Sequence, residues 1–301
     1  MTEFELIDAI VAALGDRTSG PLVSVGPGDD AAVISVPRGM DVVSSIDALV
    51  AGVHFPAEAA PWLIGYRAIM VSASDLAAMG AANGWVIVGL TLPKVDADWV
   101  QALTDGMRAA LVRANLRLVG GNLARGPLAV SVSVHGFVPA GRALLRSGAR
   151  PGDSIWVTGT LGGAAAALLR GDLATYRTVD GLDELARRYY LPEARIDVGT
   201  ALRGQASAVI DLSDGLLQDL GHLCRASGVG AELNLESIPV APGATAALAL
   251  RGGDDYELCF TAASPPSVLG VSTSCIGRIV ATPGIRANGE QLGSSGYQHF
   301  A

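Results

Sequence analysis

The sequence contains almost no lysine: Lys94 is the only one among 21 basic residues in a chain of 301. A Walker-type phosphate loop needs a lysine directly after its last glycine, whereas Lys94 stands in Leu-Pro-Lys-Val. A nucleotide site of the P-loop kind is therefore excluded. The formal net charge of −8 also argues against a broad nucleic-acid-binding face.

Cysteine is equally scarce, since the chain has only Cys224, Cys259 and Cys275 and no Cys-x-x-Cys pair. This spacing argues against a disulfide framework or a zinc site and favours reduced thiols in the cytoplasm. The acidic first residues lack the basic start of a signal peptide. The uncharged stretch 76–93 is interrupted by glycines and a proline, so no membrane partner or membrane span is expected.

What the chain has in abundance is glycine, with 38 residues, while half of all residues are hydrophobic. This composition is typical of a compact protein with many tight turns, and its length suggests two domains or one large one. Strand-like and helix-like patterns alternate in both halves, which predicts an α/β fold with α+β layers. The segment 137–151 is rich in Gly, Pro and Arg, so we expect domains at 1–137 and 138–301.

Hydrophobic periodicity places the main elements. Apolar spacing predicts helices over residues 4–14, 61–79, 98–114 and 216–226. Short apolar runs predict strands over 42–46, 85–92 and 209–212, and strands 116–119 and 128–134 on either side of Gly120-Gly121-Asn122.

Aspartates recur beside glycines and at predicted strand ends. Asp47 ends a predicted strand and Asp75 lies on a predicted helix, while the others form three pairs: Asp29 and Asp30, Asp211 and Asp214, and Asp254 and Asp255. Short carboxylates in such positions can converge with little loss of side-chain entropy. They suit Mg²⁺, which usually bridges carboxylates to substrate phosphates.

Each of these signals also has a purely structural explanation. Gly-Asp-Asp is common in Asx turns, Ser213 or Asp214 can cap the helix that follows them, and Asp75 can be a solvated helix residue. The metal interpretation therefore depends on their joint occurrence.

The stretch 157–164, Val-Thr-Gly-Thr-Leu-Gly-Gly-Ala, raises a second hypothesis. A strand, a glycine turn and a small-residue helix are also what dinucleotide-binding domains use to hold a pyrophosphate. The spacing is not G-x-G-x-x-G, and no acidic residue follows at the required distance. A turn that serves packing is the better interpretation.

Read in order, the motifs resemble those of the thiamine-monophosphate kinases, a family of the aminoimidazole ribonucleotide synthetase-like superfamily. The resemblance covers nearly the whole chain. Its motifs are Gly-Asp-Asp-Ala-Ala-Val at 28–33, Asp47 with Val-Ala-Gly-Val-His-Phe at 50–55, Ser-Asp-Leu-Ala-Ala-Met-Gly at 74–80, Gly-Gly-Asn at 120–122, Leu-Arg-Ser-Gly-Ala at 145–149, Gly-Asp at 152–153 with Val-Thr-Gly at 157–159, Asp-Leu-Ser-Asp-Gly-Leu at 211–216 and Gly-Gly-Asp-Asp-Tyr-Glu-Leu at 252–258.

The resemblance implies a two-domain enzyme that phosphorylates thiamine monophosphate with ATP, and a homodimer joined through the N-terminal sheets. It implies several Mg²⁺ ions, with ligands at Asp30, Ser45, the Ile46 backbone, Asp47, Asp75, Asn122, Asp211 and Asp214. It places ATP at Gly121, Asn122, Arg146 and Ser213, and the substrate at His54, Asp254 or Asp255, and Tyr297. Because the acceptor phosphate is already ionised, direct in-line transfer needs no strong base, and Arg146 would supply a fork of donors.

The chain departs from the family pattern at Asn122, where aspartate is usual, and at Leu123-Ala124, where two threonines are usual. We expect weaker occupancy of one metal position and no loss of activity. His54 and Tyr297 could instead serve packing, and Arg146 could be merely solvated. Two further functions stay open: a noncatalytic nucleotide- or thiamine-phosphate-binding protein on the same fold, and another ATP-using enzyme of the superfamily.

Overall fold

The computed structural model describes residues 2–267, 270–293 and 296. The chain divides into two compact units. Among the described residues, the first unit contains those up to Leu76, Ala82–Gly141 and Asp172–Leu182. The second contains Ala77–Ala81, Arg142–Gly171 and the described residues from Asp183 onward.

The first unit is built on a four-stranded sheet. Its elements are α1 (Glu3–Leu14), β1 (Val23–Val25), β2 (Val33–Ile34), β3 (Met40–Val50), α2 (Pro61–Ala78, whose last two residues belong to the second unit), β4 (Ala82–Leu92), α3 (Ala97–Arg113), β5 (Arg117–Arg125) and β6 (Ala129–Pro139). The sheet has the order β3-β6-β4-β5, in which only β4 and β5 are parallel. Parallel strands need a crossover, and α3 provides it. Strands β1 and β2 form a separate antiparallel pair.

Successive side chains along β3 and β6 point alternately to the two faces of this sheet. Val130, Val132 and Val134 of β6 are buried, and on β3 the same face carries Ser45 and Asp47. Helix α2 lies on this face, as its hydrogen bonds to β3 show. The opposite face is more exposed.

Helices α2 and α3 approach each other closely because glycines face the contact. A Cβ atom on Gly65 would lie 2.1 Å from the Leu103 carbonyl oxygen, and one on Gly106 would lie 2.0 Å from that of Trp62. Any larger residue at these positions must force the helices apart.

The second unit contains a seven-stranded sheet of mixed direction, with the order β13-β12-β9-β11-β7-β10-β8. Its elements are β7 (Ser154–Thr158), α4 (Gly163–Arg170), α5 (Glu184–Tyr190), α6 (Ile196–Leu202), β8 (Ala208–Asp211), α7 (Leu216–Ser227), β9 (Gly230–Leu233), α8 (Ala246–Arg251), β10 (Leu258–Ala262), β11 (Thr273–Val280), β12 (Gly284–Ala287) and β13 (Glu290–Leu292). The apolar face of α7 packs with Ile155, Val157 and Ile210 in one core.

The mixed helices and sheets confirm the predicted fold class, and the long helices are found close to their expected bounds. Two local predictions are wrong. Gly120-Gly121-Asn122 does not separate two strands but is part of β5, where it pairs with β4. Asp47 does not end a strand, because β3 continues to Val50.

The membrane and cysteine expectations can also be compared with the structure. No helix in the described part of the chain combines the length and the apolar character needed to cross a bilayer. All three cysteines are unbridged, with Cys224 and Cys259 buried and Cys275 exposed.

The close helix contact gives a stability prediction. We expect Gly106→Ala to lower the free energy of unfolding by about 1–3 kcal/mol, because the added methyl group must displace the α2 backbone. Gly89→Ala is the matched control, since its Cβ would be 3.7 Å from its nearest neighbour. Urea unfolding compares the two variants, and equal midpoints would contradict the contact.

Candidate active site

A pair of carboxylates lies between β3 and α2 in the first unit. The Ser45 hydroxyl on β3 donates a hydrogen bond of 2.5 Å to Oδ2 of Asp75 on α2. Burial raises the pKa of neighbouring Asp47, the charge of Asp75 raises it further, and a hydrogen bond from Ser72 opposes both effects. The arrangement therefore holds two like charges close together, which a cation would stabilise.

Asp30 occupies the predicted turn between β1 and β2 and is exposed. Its backbone N–H donates to Oδ1 of Asp29 at 2.8 Å, so Asp29 has the role expected in a local turn. Within the ranges that the structure covers, no three His, Cys, Asp or Glu side chains form a group able to hold a metal. Asp30 is thus not gathered with Asp47 and Asp75, and its metal role stays a prediction.

His54 follows β3 in a tight turn. Its Nδ1 accepts a hydrogen bond of 3.0 Å from the Val50 backbone N–H, and its own N–H donates to the Val50 carbonyl oxygen at 2.9 Å. Because Nδ1 is an acceptor, a neutral His54 carries its proton on Nε2. The half-buried ring is therefore oriented by the backbone.

Strand β5 places the glycines and Asn122 of the predicted ATP segment. Gly121 needs to be glycine, since a Cβ there would lie 2.3 Å from the Val88 carbonyl oxygen. Asn122 pairs with Gly89, which pairs with Ser131, which in turn pairs with Ala48. Asn122 therefore lies on the same face of the sheet as Ala48. Asn122 is exposed on this face, opposite to the one that carries Asp47. The structure does not bring these two side chains together.

In the second unit, the turn between β8 and α7 carries a further acidic group. Asp211 ends β8 and is only 6% exposed, and Asp214 accepts a hydrogen bond from Gln218 at 3.0 Å. Neither Ser213 nor Asp214 caps α7, contrary to the structural explanation. Oδ2 of Asp219 accepts the Asp214 and Gly215 backbone N–H groups instead, both at 3.0 Å.

No role for Asp219 in the site was predicted from the sequence. Its position in the first turn of a predicted helix, close to two other aspartates, could have indicated one. Burial raises its pKa to about 7, and the charges of Asp214 and Asp211 contribute to the rise. Two neighbouring carboxylates thus act on that of Asp219 at the start of α7. The three carboxylates concentrate negative charge at this place, and a cation would offset it.

The Gly252–Leu258 segment lies directly against this turn. The Asp254 backbone N–H donates to the Ser213 carbonyl oxygen, and that of Tyr256 donates to the Leu212 carbonyl oxygen, both at 2.8 Å. Gly253 allows the approach, because a Cβ there would lie 2.4 Å from the Ser213 oxygen. Two predicted site segments, about 40 residues apart in sequence, are therefore neighbours in the structure.

Asp255 has a different environment from Asp254. The Gly162 backbone N–H lies 2.9 Å from both carboxyl oxygens of Asp255, at the start of α4. Burial raises the pKa of Asp255 to about 8, this hydrogen bond opposes the rise, and the charges of Glu257 and Asp254 add to it. The α4 N-terminus thus holds an internal carboxyl where a dinucleotide domain would hold pyrophosphate, which argues against the dinucleotide hypothesis.

A buried ion pair supports the same loop. Arg195 donates to both oxygens of Glu257, at 2.7 Å from Nε and 2.6 Å from Nη2, and Thr158 Oγ1 donates to Oε2 at 2.5 Å. Glu257 is only 3% exposed, and a Cβ on Gly159 would lie 2.1 Å from its carboxylate. The motif at 157–159 therefore packs against the motif at 252–258, a role that sequence reasoning did not assign.

Arg146 is exposed on a loop that α7 anchors. The Ser227 hydroxyl donates to the Arg146 carbonyl oxygen at 3.1 Å and accepts the Ala149 N–H at 3.2 Å. The charge of Arg146 reaches His222 on α7: burial lowers the pKa of His222, and Arg225 and Arg146 lower it further. A cationic loop therefore faces the same helix that Asp214 precedes.

The predicted aromatic Tyr297 lies outside the described residues. Its neighbour Gly296 is described, and a Cβ there would lie 2.5 Å from the Asp214 carbonyl oxygen. The backbone just before Tyr297 thus contacts the start of α7.

Comparison with known sequences identifies the class of protein to which the chain belongs. The sequence model described as "AIR synthase related protein, N-terminal domain" matches residues 28–138, and that of the corresponding C-terminal domain matches residues 150–286. The chain therefore belongs to the AIR synthase related proteins.

Individual relatives define the family more narrowly. The thiamine-monophosphate kinase of Salmonella typhimurium is 44% identical over 283 residues, which cover 88% of this chain and 87% of the relative. That of Escherichia coli K12 is 42% identical over 311 residues, with 95% and 94% covered. Within its class, the chain thus belongs to the thiamine-monophosphate kinase family of enzymes.

Solved structures agree with this assignment. The thiamine-monophosphate kinase of Stenotrophomonas maltophilia superimposes with a TM-score of 0.87 at 39% identity, covering 97% of this chain and 98% of that one. The structure of "AaThiL complexed with AMPPCP and TMP" gives 0.81 at 30% identity, with 99% and 97% covered. Escherichia coli HypE, at 20% identity and a TM-score of 0.78 over 99% of both chains, shares the fold.

The buried carboxyl of Asp255 predicts a pH-dependent stability. Its folded pKa of about 8 lies above the ordinary value of 3.8, so the unfolded chain loses this proton at lower pH than the folded chain does. As pH rises from 4 to 8, wild-type stability should therefore fall relative to Asp255→Asn, by at least about 1 kcal/mol. Urea unfolding in EDTA across this range measures the difference.

The exposed Asp180→Asn is the matched control and should follow the wild-type profile. If Asp255→Asn kept a constant difference from wild type at every pH, the raised pKa would be contradicted.

Proposed function

We propose that this enzyme transfers the γ-phosphoryl group of ATP to the phosphate of thiamine monophosphate, forming thiamine diphosphate and ADP. An acceptor oxygen forms a bond to the γ-phosphorus as the bond to the ADP oxygen breaks, so no phosphoenzyme forms. The observation that carries the proposal is the close Asp47–Asp75 pair on a chain of this kinase family. The structure of AaThiL, which holds AMPPCP and TMP, supports it.

The donor set fits Mg²⁺ in both units. In the first unit, the Ser45 hydroxyl, the Ile46 backbone and the Asp47 and Asp75 carboxylates would hold the ion. Mg²⁺ is commonly bound by one or two carboxylates plus phosphates and water, so a pair of acidic residues is sufficient. When bound, Mg²⁺ supplies positive charge against the phosphates of both substrates.

In the second unit, Asp211 and Asp214 would hold further ions at the start of α7. Burial raises the pKa of Asp219 and the charges of Asp214 and Asp211 add to the rise, and this nearby negative charge supports the assignment. Asp30 and Asn122 complete the set of proposed ligands on the family resemblance alone. Asp30 is not grouped with Asp47 and Asp75, and Asn122 lies on the sheet face opposite Asp47.

ATP would be held by two residues of β5, by a serine hydroxyl and by one arginine. We assign Gly121 and Asn122 of β5, the Ser213 hydroxyl, and Arg146, whose loop is fixed by Ser227. The planar guanidinium group can donate two parallel hydrogen bonds to a phosphate.

The substrate would meet His54, Asp254 and Tyr297. Asp254 is the better candidate of the two neighbouring aspartates, because both oxygens of Asp255 already face the Gly162 N–H. The acceptor phosphate is ionised at neutral pH, so these residues bind and orient it and no side chain must remove a proton.

The exposed face of the four-stranded sheet supports a homodimer. Three apolar side chains lie on it, with Val42 42% exposed, Ile46 67% and Ile87 40%. The register places Ile46 and Ile87 on either side of Ser133, so they form one row. Apolar residues that line a sheet face in this way favour a second copy of the chain as partner.

The setting we propose is the cytoplasm, where unbridged cysteines remain reduced. The net charge of −8 supports the absence of a nucleic-acid partner. Neither a nucleic acid nor a membrane is part of the proposed function.

An acceptor screen tests the function. With ATP and Mg²⁺, thiamine monophosphate should release ADP in a coupled assay, whereas thiamine and unrelated small phosphates should not. We expect Asp75→Asn to lower kcat by about 100-fold or more, since a metal contact contributes several kcal/mol to phosphoryl transfer. The exposed Asp105→Asn on α3 is the control. Binding of both ligands by folded wild type without ADP release would refute the kinase and favour the noncatalytic alternative.

A charged residue on the exposed sheet face tests the dimer. Ile46→Asp should convert a dimer to a monomer in light scattering after gel filtration, because it places a carboxylate in an apolar interface. Val112→Asp on α3 is the matched control, since Val112 is also exposed, at 49%. A dimer that survives Ile46→Asp unchanged would place the interface elsewhere.

A further inference from the structure

The backbone around Asp255 has an unusual shape. Asp254 and Tyr256, on either side of it, both have positive φ angles, of 68° and 51°. Few residues other than glycine adopt this left-handed conformation, and aspartate tolerates it better than tyrosine does. A tyrosine held there needs surrounding structure that compensates for the strain.

That surrounding structure is present on both sides of the loop. The N–H groups of Asp254 and Tyr256 are bound by the carbonyl oxygens of Ser213 and Leu212, and Asp255 is bound by Gly162. These contacts fix the backbone without any contribution from the Tyr256 ring. We therefore expect the loop to keep its path in a variant that lacks only the Tyr256 hydroxyl.

The Tyr256 side chain makes a specific contact within the loop. Its hydroxyl donates a hydrogen bond of 3.0 Å to Oδ1 of Asp254, two residues earlier. The phenol O–H is the donor and the carboxylate oxygen is the acceptor. One oxygen of the Asp254 carboxylate is thereby fixed in direction.

We propose that Tyr256 is a positioning residue, which orients the Asp254 carboxylate toward the cationic ring system of thiamine monophosphate. The inference rests on the proposed function. A thiazolium ring carries a permanent positive charge and an aminopyrimidine offers N–H donors, and both match an ionised carboxylate. Orienting the carboxylate in advance reduces the rotamer entropy lost when the substrate binds.

The variant Tyr256→Phe tests this role, because it keeps the ring and removes only the donor. We expect the KM for thiamine monophosphate to rise about fivefold to tenfold, in line with the loss of one hydrogen bond to a charged group. The kcat and the KM for ATP should stay within about twofold of wild type. A residue that only stabilised the loop would change both KM values or the thermal midpoint.

A double-mutant cycle with Asp254→Asn separates positioning from direct contact. In the Asp254→Asn background, Tyr256→Phe should change the KM for thiamine monophosphate by less than twofold, because the carboxylate is already absent. Tyr66→Phe on α2 is the control for loss of a tyrosine hydroxyl. Thermal midpoints of all variants report folding.

Two results would overturn the inference: an unchanged KM for thiamine monophosphate in Tyr256→Phe, or effects of the two substitutions that simply add. Either can be observed only if wild type turns over thiamine monophosphate. Absence of turnover in folded wild type would instead refute the proposed function itself.

Discussion

Burial of aspartates close to other carboxylates is the physical constraint that the two units share. In the first unit, burial and the charge of Asp75 raise the pKa of Asp47. In the second, burial and the charges of Asp214 and Asp211 raise that of Asp219. Folding alone has no need for such clusters, since each costs stability when its members ionise. A cation bound near either cluster would offset this cost.

The second unit shows how glycines make this crowding possible. Gly253 lets one loop lie on the Ser213 carbonyl oxygen, and Gly159 lets another lie against the Glu257 carboxylate. Arg195 compensates for the buried charge of Glu257 with two hydrogen bonds. Glycine at these two positions thus serves the close packing of loops, in addition to the tight turns that the composition indicated.

Neighbouring residues of one motif have different roles because their surroundings differ. Asp254 lies beside Tyr256, whereas Asp255 faces the start of α4. Residues of different motifs are also separated: Asp47 and Asn122, both predicted metal ligands, lie on opposite faces of one sheet. Motif matching identifies such residues as a group, but their chemistry follows from the face and the loop that each one occupies.

Much of this protein could be predicted from its sequence. The order of helices and strands follows from apolar periods of 3.6 and 2 residues, which are local properties of the chain. The absence of a P-loop follows from a single lysine in the wrong place. The motif order was sufficient to indicate the family, which the relatives then confirmed.

The errors have a common physical cause. A Gly-Gly-Asn segment looks like a connection between strands until a neighbouring strand pairs with it. Asp219 looks like an ordinary helix residue until its carboxylate accepts hydrogen bonds from two backbone N–H groups before the helix. The sequence by itself therefore determined the elements, the family and the kinds of residue available for the chemistry. Only the tertiary structure decided which partners those residues have, because contacts such as Thr158 with Glu257 and Gly162 with Asp255 join positions more than 90 residues apart. No local pattern records such contacts.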